Sequence, residues 1–509
     1  MKAISLCGLC AAGLLVMAAA VAHGQMSTSG STPKVEAVAD EQVMMEIPMW
    51  KDKGEMPPEG LELADRREFL KVAAGALSGA AVVGIPEIVT AQESKSDQGG
   101  GHLYLQTNEA RNAVVHFRRS GSGKLTEIER VSTGGAGSGT FKPISGQESA
   151  PNAFEGAGSV ILTRDRRFLF TTNGGDNSAS SFRVGEDGRL TLLDVKLTGN
   201  PVEGKSGTAK SLAYVPSSGT LFVLHSFGPD HLRLMSVDAQ GKLALRPERY
   251  TANTHTKPDR VPTMVVVSPN EKFVLLGTTF DQPIAHTGLY PDGSPILWVQ
   301  RPGGTFKSIA SNAPDPDGLA VFPLQKDGSL GTVRFHDAKA GSPFYIAFLH
   351  GRPDTFVIAY AVGDGCALGT IDEDGKINIG RLVKLDTSPG LPSEVCWLAV
   401  SPDDRTVYAT PFGYSYVTSY HINGEGTELA IAKDPACPKV PGDGIARGLN
   451  GTVISGPSDS WITPDGAYFY QIYGNAAKLV GYAARPDGSL NEITNMKIPY
   501  NSPQGLAGN

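Results

Sequence analysis

The feature that most constrains this chain is a short unit that returns along it. An apolar strand runs into a turn at SVILTRD (159–165), SLAYVPS (211–217), TMVVVSPN (263–270), FYIAFLHG (344–351), CWLAVSPD (396–403) and SWITPDG (460–466). With Thr163, Val215, Ser268, Leu349, Ser401 and Thr463 taken as equivalent, the steps are 52, 53, 81, 52 and 62 residues. A second marker, Gly-x-Leu or a near variant, follows each unit: Gly123-Lys124-Leu125, Gly188-Arg189-Leu190, Gly241-Lys242-Leu243, Gly328-Ser329-Leu330, Gly375-Lys376-Ile377, Gly426-Thr427-Glu428-Leu429 and Gly488-Ser489-Leu490. The clearest copy, 396–429, reads as strand (Cys396 to Val400), Ser-Pro-Asp-Asp turn, strand (Thr406 to Thr410), glycine loop, alternating strand (Tyr416 to Ile422) and a last strand from Leu429. That is a four-stranded antiparallel meander.

Six inner strands stand against seven outer ones, and the mismatch predicts the closure. The first unit (102–129) has no inner strand before it, while Ser502-Pro503-Gln504-Gly505-Leu506-Ala507 at the end has no unit after it. A ring in which the C-terminal strand completes the first sheet uses every piece and leaves no long sheet edge exposed. The expected fold is therefore all-β: a seven-bladed β-propeller of four-stranded antiparallel blades over 101–509. A pair of β-sandwiches is the alternative, but a sandwich has no reason to repeat its turns at near-constant spacing.

The 81-residue step holds an insertion, 281–317, between the second and third strands of the fourth unit. The connections 131–158 and 432–459 are also long. In a propeller these loop types emerge on one face, so a site is expected at the channel mouth there.

Residues 1–91 read as an export region. Residues 1–25 carry Lys2, an apolar run from Leu9 to Ala22 and a small-residue end, and read as a secretory signal or a short anchor. Asp65-Arg66-Arg67-Glu68-Phe69-Leu70-Lys71, followed by VAAGALSGAAVVGIP and ending near Val89-Thr90-Ala91, resembles a twin-arginine signal. A start at Met44, Met45 or Met56 would leave an ordinary presequence of that kind. A Ser/Gly/Gln-rich linker, 92–100, leads into the fold. The expected location is periplasmic or secreted, with membrane contact through the presequence alone. A net charge of −7, with no basic run in the body, argues against nucleic acid as partner. Beyond Cys7 and Cys10 the chain has Cys366, Cys396 and Cys437, too few for a disulfide framework.

The repeat, with Leu103-Tyr104-Leu105-Gln106-Thr107-Asn108-Glu109, the Ser-Pro-Asp turns and the Gly-x-Leu strands, resembles the lactonase-type seven-bladed propellers. That family includes 6-phosphogluconolactonases and carboxymuconate-lactonising enzymes. The resemblance implies hydrolysis of a small lactone at the channel mouth. Its Pro-Arg-His motif before an inner strand is missing here: the matching places hold Lys210-Ser211, Thr263-Met264, Cys396-Trp397 and Ser458-Asp459. Lys210 alone preserves the positive charge.

Opening a lactone needs a group to activate water and a donor to hold the developing oxyanion. Loops before the inner strands converge on the mouth and offer Glu155, Glu394 or Asp459 as base and Lys210 or Arg260 as cation. Asn152 and Gln504 are candidate ligand contacts there, with Tyr290 and Trp298 on the insertion. The histidines, among them His116, His225, His231, His255, His286, His336, His350 and His421, show no short metal spacing. Asn173-Gly174-Gly175-Asp176-Asn177 reads as a turn rather than a calcium loop. No cofactor or metal is expected. The candidate partners are a small lactone or carbohydrate-derived ligand, or else a protein or glycan held by the long-loop face of a non-catalytic propeller.

Overall fold

The computed structural model describes residues 100–509 except 139–156, 201–206, 228, 255–259, most of 281–317, 387–392, 445–451 and 501–502. Seven four-stranded antiparallel meanders follow one another. Blade 2 is Val160–Leu162, Phe168–Asn173, Ser178–Val184 and Leu190–Leu197. Blade 3 is Gly207–Val215, Thr220–Phe227, Leu232–Val237 and Leu243–Tyr250. Blade 4 is Val261–Val267, Phe273–Phe280, Leu319–Pro323 and Arg334–His336, with the insertion between its second and third strands. Blade 5 is Pro343–Phe348, Thr355–Tyr360, Gly365–Ile371 and Ile377–Ile379, its third strand also pairing with Val383–Lys384. Blade 6 is Val395–Val400, Thr406–Pro411, Thr418–Ile422 and Leu429–Lys433, and blade 7 is Pro457–Ile462, Tyr468–Tyr473, Lys478–Ala484 and Leu490–Lys497.

Blade 1 takes Gly101–Gln106, Ala113–Arg119 and Leu125–Ser132 from the start of the fold and Gln504–Gly508 from the end of the chain. The closing strand pairs antiparallel with Gly101–Gln106, Leu506 lying opposite Leu105. It also packs between the inner strands of blades 7 and 2, so the seven inner strands neighbour one another in an unbroken cycle. The propeller expected from the unequal marker counts is the fold observed.

The strands follow from what each must face. Second strands are sandwiched between neighbouring blades, and Phe168–Asn173 and Thr355–Tyr360 are buried at every residue. Outer strands face solvent, and in Leu125–Ser132 and Leu490–Lys497 the leading leucine alone is buried, the rest being exposed or half-buried. The cores lie in the seams: Val357, Ala359 and Leu368 of blade 5 meet Leu398, Val407 and Tyr420 of blade 6.

Both sequence markers have a physical role. The equivalent turn residues each donate an amide back to the second strand, as Thr163 N to Phe168 O at 2.9 Å and Ser401 N to Thr406 O at 2.8 Å. Asn509 N to His102 O at 3.0 Å completes the set in blade 1. The leucine of Gly-x-Leu is a latch between blades. Its side chain is buried and its amide donates to the preceding blade: Leu190 N to Glu129 Oε1 at 2.8 Å, Leu243 N to Asp194 Oδ2 at 3.0 Å, and Leu330 N to the Tyr250 hydroxyl at 2.9 Å. We call the face bearing these turns the turn face, and the opposite one the loop face. No helix among the described residues is long and apolar enough to cross a membrane.

Candidate functional site

Six of the seven inner strands begin with a β-bulge, and the bulges make the site. In blade 3 the extra residue lies between Ala209 and Ser211, in blade 4 between Pro262 and Met264, and in the closing strand between Gln504 and Leu506. The same irregularity falls between Pro343 and Ile346, Val395 and Leu398, and Pro457 and Ser460. A bulge twists its strand and re-aims a side chain. The residue four before the turn lies at the irregularity in six blades, as Ser211, Met264, Tyr345, Trp397, Asp459 and Gly505, while Ser159 directly precedes the regular inner strand of blade 2. Several lean on the neighbouring inner strand. Ser211 Oγ accepts from Val265 N at 3.1 Å, and Met264 Sδ from Ile346 N at 3.4 Å. Asp459 Oδ2 accepts from Gly505 N at 2.8 Å.

This belt has an apolar sector and a polar one. In the apolar sector Trp397 meets Phe344 edge to face, ring centroids 4.9 Å apart, and tilts against Phe412 at 6.2 Å. Met264, Val261, Cys396, Ala157 and Ile454 close around them. Ile454 comes from the connection leading into blade 7, which is tied down by Thr452 Oγ1 donating to Gly413 O at 3.0 Å.

The polar sector is built on Asp459, which is 3% exposed. Its carboxylate bridges three consecutive inner strands, taking Gly505 N–H on Oδ2 and, at 3.4 Å, Gly158 N–H on Oδ1. Both glycines have φ of +72°, a conformation that turns their amides toward it and that side chains disfavour. Burial outweighs these two hydrogen bonds and pushes the carboxyl up to about 7. Beneath it, the Gln471 side-chain amide donates to the carbonyls of Ser458, Asp459 (3.3 Å) and Ile472 (3.0 Å), while Gln471 Oε1 accepts from Thr410 Oγ1 at 2.9 Å. The carbonyls that the bulge takes from the ladder are so satisfied. Burial, and then the charge of Asp459, oppose ionisation of Tyr345, which stays a neutral hydroxyl.

The other sequence candidates are dispersed. Lys210 occupies the blade 3 bulge and is buried. Arg260 is turned away from the axis into the seam between blades 3 and 4. There its guanidinium donates to Ala252 O at 2.7 Å and stacks 4.5 Å from the Phe335 ring. Glu394 sits at the junction of blades 5 and 6 with φ +55°, its amide and that of Ser393 both donating to Asp364 Oδ1. Gln504 opens the closing strand opposite Gln106 and is buried. Glu155, Asn152, Tyr290 and Trp298 lie outside the described residues. Asp176 accepts from Ser178 Oγ at 2.7 Å and Ala136 N at 2.8 Å, the hydrogen bonding of a structural turn. His225 and His231 are buried and bonded to Thr198, Arg260 and neighbouring backbone. Burial drives the His225 imidazole down to about 3.

Sequence reasoning missed Tyr345, Gly505, Gly158 and Gln471. The first two occupy the fourth position before the turn, so they were within reach of the repeat alignment. Gln471 and Gly158 carry no marker: their roles exist only because a bulge frees carbonyls and a neighbouring strand presents an amide.

Comparison with known proteins agrees with this architecture. Residues 94–203 match the family model described as "Lactonase, 7-bladed beta-propeller". No curated protein matches the chain. Among solved structures, the periplasmic gluconolactonase of Pseudomonas aeruginosa superposes with a TM-score of 0.55 at 14% identity, covering 80% of this chain and 99% of that one. Candidate 6-phosphogluconolactonases of Bacteroides uniformis (14% identity, 81% and 100% covered) and Bacteroides fragilis (13%, 81% and 99%) both give 0.55. At these identities the likeness is one of fold. The chain is a closed seven-bladed propeller.

Proposed function

We propose that this protein hydrolyses a small lactone in the polar sector of its channel, with Asp459 as general base. The observation that carries this reading is the enclosed carboxyl itself. Its proton affinity, raised to about 7, suits a group that must take and return a proton near neutral pH. Ionised Asp459 takes a proton from water as the water oxygen bonds to the lactone carbonyl carbon. The ring C–O bond then breaks, and the protonated carboxyl returns the proton to the leaving alkoxide. The products are one hydroxy acid and an unchanged enzyme. The neutral Tyr345 hydroxyl is the donor available to the oxyanion. Match to the lactonase family model over 94–203 supports the same class of reaction.

The test is titrimetric hydrolysis of a panel of five- and six-membered sugar and aliphatic lactones between pH 6 and 9. Turnover above buffer, rising with pH through about 7, is expected. A folded protein that opens none of them would sink the enzymatic reading. The second reading, a propeller that binds a protein or glycan through its loop face, would then take its place. It draws on one observation: Trp397, Phe344, Phe412 and Ile454 pack against one another, closing the apolar sector to a small ligand.

The same proposal has the protein exported, on the strength of Arg66-Arg67 and the apolar run after them. Amino-terminal sequencing of the cell-envelope or culture-medium form should begin near Gln92. A chain retaining Arg66-Arg67 and confined to the cytoplasm would contradict it.

A further inference from the structure

Blade 7 departs from the other blades at one register position, and the departure lies behind Asp459. The residue three before the turn stands opposite a residue of the second strand. In the five other bulged blades both members of this pair are apolar: Leu506 with Leu105, Leu212 with Val223, Val265 with Leu276, Ile346 with Ile358 and Leu398 with Ala409. The second-strand members all lie in the apolar cores of the seams. In blade 7 the pair is Ser460 with Gln471. Gln471 is fully buried, and burying an amide costs free energy that burying an apolar side chain does not. Its nitrogen donates to the carbonyls of Ser458, Asp459 and Ile472. That fixes the oxygen on the other side, where Thr410 of blade 6 donates to it at 2.9 Å.

We propose that Gln471 is a positioning residue for Asp459. With Thr410 behind it, it holds the backbone of Ser458 and Asp459 so that the carboxylate meets the Gly505 and Gly158 amides. The inference rests on the reading of Asp459 as general base. Blades 1, 3, 4, 5 and 6 form the same bulge with leucine, valine, isoleucine or alanine at this place, so the scaffold does not require an amide there. What distinguishes blade 7 is a bulge whose side chain is bound to two other strands, by Gly505 N on Oδ2 at 2.8 Å and by Gly158 N on Oδ1 at 3.4 Å. The carbonyls of Ser458 and Asp459 flank the Asp459 α-carbon. A single donor group on both therefore fixes the two soft dihedrals there, and with them the direction of the side chain. Gln471 acts through Asp459 and is not itself catalytic.

The repeat supplies the test variant, because Gln471→Leu installs the residue type that blades 1 and 4 use, Leu105 and Leu276. The full chain carrying it should melt as the wild type does. On a lactone that the wild type opens, kcat should fall about 10- to 100-fold with KM unchanged, the scale of a misplacement of about 1 Å. A second readout needs no turnover. In ¹⁵N-glycine-labelled protein, the amide resonances that Asp459→Asn displaces identify Gly505 and Gly158. Gln471→Leu should move both upfield as their hydrogen bonds to the carboxylate lengthen, and Thr410→Val should do the same to a smaller degree. A wild type that opens no lactone would sink the general-base reading alone, since the glycine resonances still test the positioning. Resonances unchanged in Gln471→Leu, or an undiminished kcat in an active enzyme, would overturn the inference. So would a Gln471→Leu chain that does not fold, because the residue would then be a structural requirement of blade 7.

Discussion

Asp459→Asn is expected to lower lactone turnover by about 10²- to 10⁴-fold, the usual worth of a positioned general base, with KM little changed. The asparagine side chain occupies the same volume, and its carbonyl oxygen can still accept the Gly505 amide, so the belt keeps its form. What is lost is the ability to hold and release a proton. The same substitution has an opposite signature in stability. In the unfolded chain the carboxyl ionises near its ordinary value of 3.8, whereas in the fold it stays protonated to about 7. Between those values the folded state binds the extra proton, so raising the pH removes stability, and the loss is complete above about 7. The full penalty is on the order of 4 kcal/mol as an upper bound, from 1.36 kcal/mol per pKa unit. Asparagine carries no such penalty. Melting curves from pH 4 to 8 should therefore show the variant gaining on the wild type as pH rises, then running parallel. A difference that is flat with pH would mean that Asp459 ionises normally and is not a base tuned for neutral pH.

Gly241→Ala should be strongly destabilising for a single-methyl change, costing roughly 2–5 kcal/mol. Gly241 has φ of +83°, where an L-residue is strained. A β-carbon there would come within 2.5 Å of the Phe168 ring and 2.6 Å of Leu193 in blade 2. Phe168 is buried in the seam and has no free path of retreat. The lesion also loosens the next residue but one, Leu243, whose amide latches onto Asp194. Urea unfolding gives the measurement. Gly424→Ala is the control, since a β-carbon there meets nothing within 4 Å. Equal midpoints for the two variants would show that the Gly-x-Leu glycine is a turn convenience and not an interblade contact.

These two substitutions mark where sequence reading succeeded and where it stopped. The glycine of Gly-x-Leu recurs because every blade must turn on its predecessor in the same way. Such a requirement repeats in the sequence and is legible there. Blade number and closure by the C-terminal strand followed from counting. Asp459 was legible as one polar residue among several near an inner-strand start. Arg260 stood beside it with equal claim, yet it points into the seam toward Ala252 and Phe335. Nothing local distinguishes them, because a side chain's direction at a strand start depends on whether a bulge intervenes.

The sequence by itself determined the seven-bladed ring, since near-identical meanders can bury their faces and edges together only by closing on one another. The tertiary structure alone decided which residues meet at the axis. It moved the carboxyl of Asp459 toward neutrality by enclosing it beside Gly505 and Gly158. Proton affinity depends on distances of a few ångströms between strands. Register and bulges set those distances, and neither is written in the spacing of residues along the chain.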